Sequence, residues 1–327
     1  MKLNNILKNI EILNSKGNLD LEINDISIKS NEVSKNTLFI CLSGVNTDGH
    51  DFALEAEKFG AIAIVCEREI ENVSITQIIV KDSRKALSII SSNFYDNPEK
   101  KLKIIGITGT NGKTTTTFIR HLFSKSNINC GIIGTLGIYY KDKYIENNLT
   151  TPDPIELFKY LKEMTDNDIQ IVVMEVSAHS LYLKKIEGIT FDVGVFTNLT
   201  QDHLDFFKNM EEYKRAKMLL FDKCKYIVSN IDDNVGKEIC EKYNNAISYG
   251  IENPCDNFAI DIKENGIENT YILNIFDNVL RIKTKLLGKF NVYNVLSAVT
   301  TCFILGLKCE SMEKSLEEFS GVNGRLE

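Results

Sequence analysis

The chain has little proline, four residues in 327. It has no C-x-x-C pair, no internal repeat, no low-complexity tract and no apolar run long enough to cross a bilayer. Each absence excludes something. The eight cysteines (Cys41, Cys66, Cys130, Cys224, Cys240, Cys255, Cys302, Cys309) stand apart. That spacing argues against a disulfide framework or a zinc site and for reduced cytosolic thiols. The opening MKLNNILKNIEILN breaks its apolar positions with Asn, Lys and Glu, which is no signal peptide. There is no basic excess. The net charge of −7 speaks against a nucleic-acid coat or a membrane-surface role for the whole protein, while leaving room for a local basic pocket. What is present is ordinary, with 43% hydrophobic and 25% charged residues, enough for a real core and too apolar for a disordered chain. A soluble, cytoplasmic protein of two domains is expected.

Pro98 lies in the polar stretch YDNPEKK and marks the expected boundary between residues 1–98 and 99–327. Before it, TLFICLSG, GAIAIVCE and ITQIIVKD read as short buried strands, with helical pattern at FALEAEKFG and KALSIISSNFY. This is a small α/β domain. After it, strand candidates LKIIGITG, NCGIIGTL, DIQIVVMEVS, FDVGVFTNL and KYIVSN alternate with helices at KTTTTFIRHLFSKS, IELFKYLKEMTD and MEEYKRAKMLLFD. The strand runs lack clean alternation, which suits a mostly parallel sheet covered on both faces. Turn signals at Asn265-Gly266 and Asp277-Asn278 then predict an antiparallel section, and VYNVLSAVTTCFILGL returns to helix.

GITGTNGKTTTT, Gly106 to Thr117, joins a strand to a helix. The common phosphate loop is G-x-x-x-x-G-K-[ST], but residue 107, where its first glycine would stand, is Ile. The local context still suits phosphate. Gly109, Thr110, Asn111 and Gly112 can bring backbone N–H groups close to oxygens at a helix N-terminus. Lys113 would reach the outer phosphates, and Thr114 would place a hydroxyl on Mg²⁺. The bland alternative is a strand–turn–helix connection with chance threonines. Four β-branched residues in a row, Thr114 to Thr117, are poor helix material and argue for another purpose.

Further along, IVVMEVSAHSL ends a strand at Glu175, a place from which an acid can hold Mg²⁺, or can be a solvated strand end. VFTNLTQDHLDF carries Asn198, Asp202, His203 and Asp205 at another strand end, where ligands gather in open α/β sheets. His203 could equally cap a helix or sit on the surface. Ser177 and His179 lie near Glu175, but no G-x-S-x-G elbow supports a hydrolase. Lys214, Arg215 and Lys217 read from their spacing as a basic helix face. In TTPDP, Asp153 is a candidate helix cap, and Thr150 and Thr151 could cap or bind ligand.

GTNGKTT, TTPD, EVSAHSL, TNLTQDHLDF, YKRAK, GKFNVYN and GVNGRLE, in that order, resemble the Mur ligases over almost the whole chain. Seven strings in order are far more specific than any one of them. The family's phosphate loop lacks the distant glycine. The resemblance implies an ATP- and Mg²⁺-dependent amide ligase of peptidoglycan synthesis. Such an enzyme joins a diamino acid to a UDP-muramoyl-dipeptide through an acyl phosphate. It implies Lys113 as the catalytic phosphate contact, with Thr115 in the same loop. Thr114 and Glu175 would hold the nucleotide's Mg²⁺, and His203 and Lys217 a second metal, with Lys217 carbamylated. Asn291 and Asn294 would lie near the adenine, and Arg325 belongs to the closing motif. Ser30, Thr150, Thr151, Ser177 and Lys185 would face the UDP-sugar-peptide, and GVNTDGHDF, Gly44 to Phe52, the uridine. The first domain would bind the UDP-sugar and the second ATP.

Departures gather on the sugar-peptide side. Lys29-Ser30-Asn31 stands for D-S-R, Lys185 for an arginine, and Phe207 for a histidine. Lysine keeps the charge but loses the planar fork. The family's third domain, which binds the amino acid, would begin where this chain ends, so weak nucleotide binding and poor ligation are expected of these residues alone. A nucleotide-binding regulatory module without ligation therefore stands as the alternative. Nothing in the sequence selects the amino acid, and a monomer is expected.

Overall fold

The structure is a computed structural model. It describes all residues except 45–46, 110–111, 201–205 and 320–327, and also leaves out the side chain of Lys113. Two compact units emerge. One gathers residues 1–101 with two later segments, 152–163 and 183–189; the other takes residues 102–151, 164–182 and 190–327.

In the first unit the chain runs α1 (Leu3–Ile6), β1 (Ile12–Lys16), β2 (Asp25–Ser27), β3 (Thr37–Ile40), α2 (Ala53–Phe59), β4 (Ala61–Cys66), β5 (Thr76–Val80) and α3 (Ser83–Phe94). The sheet order is β1-β5-β4-β3-β2, with β1 antiparallel to β5 and the rest parallel. Alternate residues of β3, with Cys41 just after it, serve two apolar layers. Leu38 and Ile40 pack with Leu87 and Ile90 of α3, while Phe39 and Cys41 pack with Ala53 and Ala56 of α2. A strand buried on both faces has no room for polar alternation, which is why TLFICL reads as an unbroken apolar run. The Asp82 carboxylate caps α3 by accepting from Lys85 N–H at 2.9 Å.

The second unit is built on one eleven-stranded sheet. It contains β6 (Lys103–Thr108), α4 (Gly112–Lys125), β7 (Cys130–Gly134), β8 (Gly137–Tyr140), β9 (Lys143–Ile145), the end of α5 (Pro154–Asp166), β10 (Ile171–Glu175), α6 (Ala178–Tyr182), β11 (Phe191–Phe196), α7 (Met210–Met218), β12 (Cys224–Asn230), α8 (Asn234–Lys242), β13 (Ala246–Gly250), β14 (Asn257–Glu264), β15 (Asn269–Ile275), β16 (Asn278–Thr284), α9 (Lys289–Ile304) and α10 (Cys309–Glu317). The order is β16-β15-β14-β13-β12-β11-β6-β10-β7-β8-β9. The centre, from β7 to β14, is parallel; β14–β16 and β7–β9 are antiparallel at the two flanks. The sequence signalled the first meander but not the β8–β9 hairpin, nor β1, β13, α8 and α10.

β6 lies between β10 and β11, and the chain leaves it first toward β7 and later toward β11. The strand order reverses at β6, so the turn after Thr108 opens at the switch point where open α/β sheets bind ligands. Ile105, Ile107, Val193 and Val195 form an apolar floor beneath Phe118, Leu122, Val295 and Val299 of α4 and α9. The threonine run of α4 is explained there. Thr116 Oγ1 donates to Gly112 O at 3.0 Å, and Thr115 Oγ1 donates to Asn294 Oδ1 of α9 at 3.2 Å. The hydroxyls satisfy themselves inside a helix–helix contact that alanines would leave unlinked.

Candidate active site

Three strand ends are laced at one level. Thr108 Oγ1 donates to Val176 O at 2.9 Å, Val176 N–H donates to Ile107 O at 2.8 Å, and Thr197 N–H donates to Thr108 O at 3.2 Å. The turn after β6 therefore starts against the turns after β10 and β11. Gly109 has φ +141°, and a Cβ there would lie 2.0 Å from Thr197 Oγ1 and 3.0 Å from Asn198 O. Both the conformation and the space demand glycine. Gly112 opens α4, whose 14 residues direct an N-terminus toward this turn. Thr110, Asn111 and His203 lie outside the described residues, as do Arg325 and the Lys113 side chain.

Glu175 is 6% exposed. Its Oε2 accepts from Thr135 Oγ1 at 2.7 Å, and Thr135 Oγ1 lies 3.1 Å from Thr150 Oγ1. A Cβ at Gly134 would meet Glu175 Oε1 at 2.6 Å, so glycine in β7 makes the space for this carboxylate. Thr151 Oγ1 donates to Glu175 O at 2.9 Å and accepts from Ser177 N–H at 3.1 Å. Ser177 Oγ in turn accepts from Ser180 N–H at 3.1 Å, at the start of α6. Thr150, Thr151, Glu175 and Ser177 thus form one hydrogen-bonded chain in the second unit. Ser30 and Lys185 belong to the first: Ser30 Oγ donates to Glu55 Oε2 at 2.6 Å, and Lys185 Nζ lies 2.6 Å from Asp153 Oδ1. Asp153, the candidate helix cap, directly precedes α5 and accepts through its backbone carbonyl from Leu157 N–H at 2.8 Å, while its carboxylate pairs with that lysine.

Lys217 corrects the reading of a basic helix face. It is 4% exposed, its Nζ lies 3.5 Å from Thr108 Oγ1, and it sits 4.8 Å from the Tyr213 ring centroid. Lys214 and Arg215 do form a solvated face, paired with Glu211 at 3.0 and 3.3 Å. Phe207, in place of a histidine, is buried with Ala178, Tyr213 and Ala216, and its ring lies 5.4 Å from Tyr213 and 5.3 Å from His179. The apolar ring fits a packed cluster.

Beside the turn runs a cleft of about 590 Å³, lined by Thr114, Thr197, Asn198, Asn230, Asp232, Asp233, Tyr249, Glu252, Phe290, Tyr293 and Asn294. That volume suits a nucleotide-sized ligand. Asn294 lines it directly. Asn291 supports Asn294 from behind: Asn294 Nδ2 donates to Asn291 Oδ1 at 3.4 Å, and Asn291 Nδ2 donates to Leu287 O at 2.8 Å. Sequence reasoning missed Asn230, Asp232, Asp233, Tyr249 and Tyr293. The polar string SNIDDN at the end of the parallel strand β12 was the available signal. Burial opposes ionisation of Asp232, but N–H bonds from Ile251 and Glu252, with Asn253 and Tyr293, outweigh it and lower its pKa.

Residues 107–302 match the Mur ligase middle domain, and residues 22–95 match the catalytic domain of the Mur ligase family. The chain belongs to the Mur ligase family. It is 42% identical to the UDP-N-acetylmuramoyl-L-alanyl-D-glutamate–2,6-diaminopimelate ligase of Clostridium botulinum, over 100% of this chain and 69% of that protein. It is 41% identical to ligase 1 of the same name from Clostridium acetobutylicum, over 100% and 68%. Among solved structures, a UDP-N-acetylmuramoyl-L-alanyl-D-glutamate–2,6-diaminopimelate ligase matches with TM-score 0.86 at 24% identity, over 100% of this chain and 68% of that one. MurF ligase from Thermotoga maritima in complex with ADP matches with TM-score 0.60 at 21% identity, over 92% and 67%. These structural likenesses speak for the Mur ligase fold: a small sheet followed by a large, mostly parallel one. Among the described residues no helix is long and apolar enough to cross a membrane, and no three His, Cys, Asp or Glu side chains come together as a metal-binding group.

Proposed function

We propose that this Mur ligase is an ATP-dependent amide ligase that adds a diamino acid to UDP-N-acetylmuramoyl-L-alanyl-D-glutamate in peptidoglycan synthesis. The observation that carries this reading is the laced set of strand ends, where Gly109, Glu175 and Lys217 meet the turn, with the cleft beside it. A carboxylate resists amines because its charge and resonance oppose attack. Phosphoryl transfer from ATP to the D-glutamate side chain supplies a leaving group, the amine attacks the acyl phosphate, and amide, ADP and phosphate result. The protein's part is positioning and charge neutralisation. The backbone from Gly109 to Gly112, with Lys113, Thr114 and Thr115, cradles the phosphates, and Asn294, backed by Asn291, lies toward the base. Arg325 belongs to the same nucleotide set. Ser30, Thr150, Thr151, Ser177 and Lys185 contact the UDP-sugar-peptide. In this reading residues 1–98 form the UDP-sugar-binding domain and 99–327 the ATP-binding domain, working as a cytoplasmic monomer.

The donor set fits Mg²⁺. Glu175 and Thr114 are hard oxygen donors, and the Glu175 carboxylate sits in space kept open by Gly134. His203 and Lys217 would hold a second ion. Lys217 fits carbamylation, which joins CO₂ to the neutral amine with loss of a proton, because a buried ammonium is costly and a carboxylate-like group beside a cation is not. The cations would neutralise charge on the transferring phosphoryl group.

The test is phosphate release. A ligase releases phosphate from ATP when both the UDP-muramoyl-dipeptide and a diamino acid are present. Release that ignores both substrates would instead mark a nucleotide-hydrolysing module, the reading that the Lys29-Ser30-Asn31 departure favours.

A further inference from the structure

The outer end of the cleft holds a hydrogen-bond arrangement that reads a base. Phe290, Tyr293 and Asn294 stand at i, i+3 and i+4 on α9, so they share one helix face, and all three line the cleft. The Tyr293 hydroxyl lies 2.8 Å from Asp232 Oδ2. The same oxygen accepts from Ile251 N–H at 2.6 Å and Glu252 N–H at 3.0 Å. Oδ1 accepts from Asn253 N–H at 2.9 Å and Asn253 Nδ2 at 2.8 Å. Five donors converge on one carboxylate and hold it ionised, and an ionised carboxylate can only accept. The direction of the Tyr293 bond is thereby fixed, since the phenol must donate.

A phenol has one hydrogen. Once that hydrogen is committed to Asp232, the oxygen offers a third group only lone pairs. Three other polar side chains of the lining have partners of their own. Asn230 donates through Nδ2 to Thr197 O at 2.9 Å and accepts from Asp232 N–H at 3.1 Å. Tyr249 donates to Phe196 O at 3.1 Å. Glu252 pairs with Lys289 at 2.5 Å and is itself an acceptor. Phe290, 62% exposed at the cleft, adds an apolar ring face of the kind on which planar bases stack.

We propose that Tyr293, oriented by Asp232, is a specificity-determining residue that accepts a hydrogen bond from the 6-amino group of a purine and so selects adenine over 6-oxo purines. Adenine presents a donor at position 6, whereas hypoxanthine and guanine present an acceptor, which would face the phenol lone pairs without a hydrogen between them. The inference rests on the reading of this cleft as the nucleotide site, and it goes beyond that reading by naming what chooses the base.

The experiment is calorimetric titration of the 327-residue chain with the Mg²⁺ complexes of ATP, of inosine triphosphate and of purine riboside triphosphate, which has no group at position 6. The native chain should bind ATP about tenfold or more tighter than either analogue, the difference expected for one good hydrogen bond and an avoided lone-pair clash. Tyr293→Phe should lose about tenfold for ATP and little for purine riboside triphosphate, so the preference collapses while a thermal melt shows the fold retained. Equal affinity of the native chain for ATP and purine riboside triphosphate would overturn the proposal without any variant. An ATP preference undiminished in Tyr293→Phe would overturn it too, with nucleotide binding intact. Failure of all three nucleotides to bind the native chain would remove the nucleotide reading of the cleft, and this inference with it.

Discussion

Gly109 passes Thr197 so closely that a Cβ on residue 109 would lie 2.0 Å from Thr197 Oγ1. β11 therefore polices the shape of the turn after β6. Gly109→Ala must either move the turn or push β11 aside, and it must also hold alanine at φ +141°. The expected result is a loss of about 1–3 kcal/mol in unfolding free energy together with loss of measurable nucleotide binding. Denaturant unfolding and a nucleotide titration check the two parts. A variant that binds normally would show that the turn does not touch phosphate.

Glu175 tests the cation. Glu175→Gln keeps the shape of the side chain, and its carbonyl oxygen can still accept from Thr135. The fold should therefore hold, with stability changed by no more than about 1 kcal/mol. What it loses is charge. The native chain should bind nucleotide more tightly with Mg²⁺ than with EDTA, and Glu175→Gln should erase most of that gain. An undiminished Mg²⁺ effect would take Glu175 out of the metal set.

Some of this was legible in the residues and some was not, for physical reasons. KIIGIT, IVVME and FDVGVF are buried on both faces, so composition alone announces them as parallel strands. ILNSK of β1 is exposed along its whole length and is a strand because β5 offers it backbone partners, which no side-chain pattern records. The glycines of the turn suggest a phosphate cradle from sequence alone, while the threonines after them divide between α9, through Thr115, and the cleft, through Thr114. MEEYKRAKM looks solvated throughout, yet Lys217 is buried where its turn of α7 meets the tip of β6. Asp232 is one acid of a polar string; its partners at 251–253 and 293 are distant in sequence, and only the fold brings them together.

A pH effect is built into the first unit. Asp48 Oδ2 lies 2.7 Å from Arg68 Nη2, and Oδ1 lies 2.5 Å from His50 Nδ1. His50 is buried, and its Nε2 accepts from Glu67 N–H at 2.9 Å, which leaves Nδ1 as the protonated nitrogen. The bond from Arg68, followed by those from His50, lowers the Asp48 pKa below the ordinary carboxylate value. A depressed carboxylate stabilises the fold above the unfolded-state pKa, and that contribution disappears as pH falls through the folded-state pKa. Asp48→Asn should therefore lower stability at pH 7 and narrow the gap from native progressively below about pH 4. Urea midpoints at several pH values measure it. A constant difference down to pH 2 would show that shape, not charge, is what Asp48 supplies.

Lys217 offers the sharpest test of the chemistry at the strand ends. Its Nζ lies 3.5 Å from Thr108 Oγ1, whose own hydrogen is given to Val176 O, so the threonine presents lone pairs to the lysine. An unmodified ammonium would donate to that oxygen and face the Tyr213 ring at 4.8 Å. A carbamate would instead bring an anion suited to a cation held from neighbouring strand ends. The two forms separate on substitution. If the carbamate is the working form, Lys217→Ala should lose most phosphate release, and acetate or formate should partly restore it by entering the space of the missing carboxylate. If the ammonium is the working form, small carboxylates should do nothing and methylamine should restore activity. The substitution opens a cavity, so about 2–4 kcal/mol of stability should go with it. A melting curve run alongside therefore shows whether absent activity reflects lost chemistry or a lost fold.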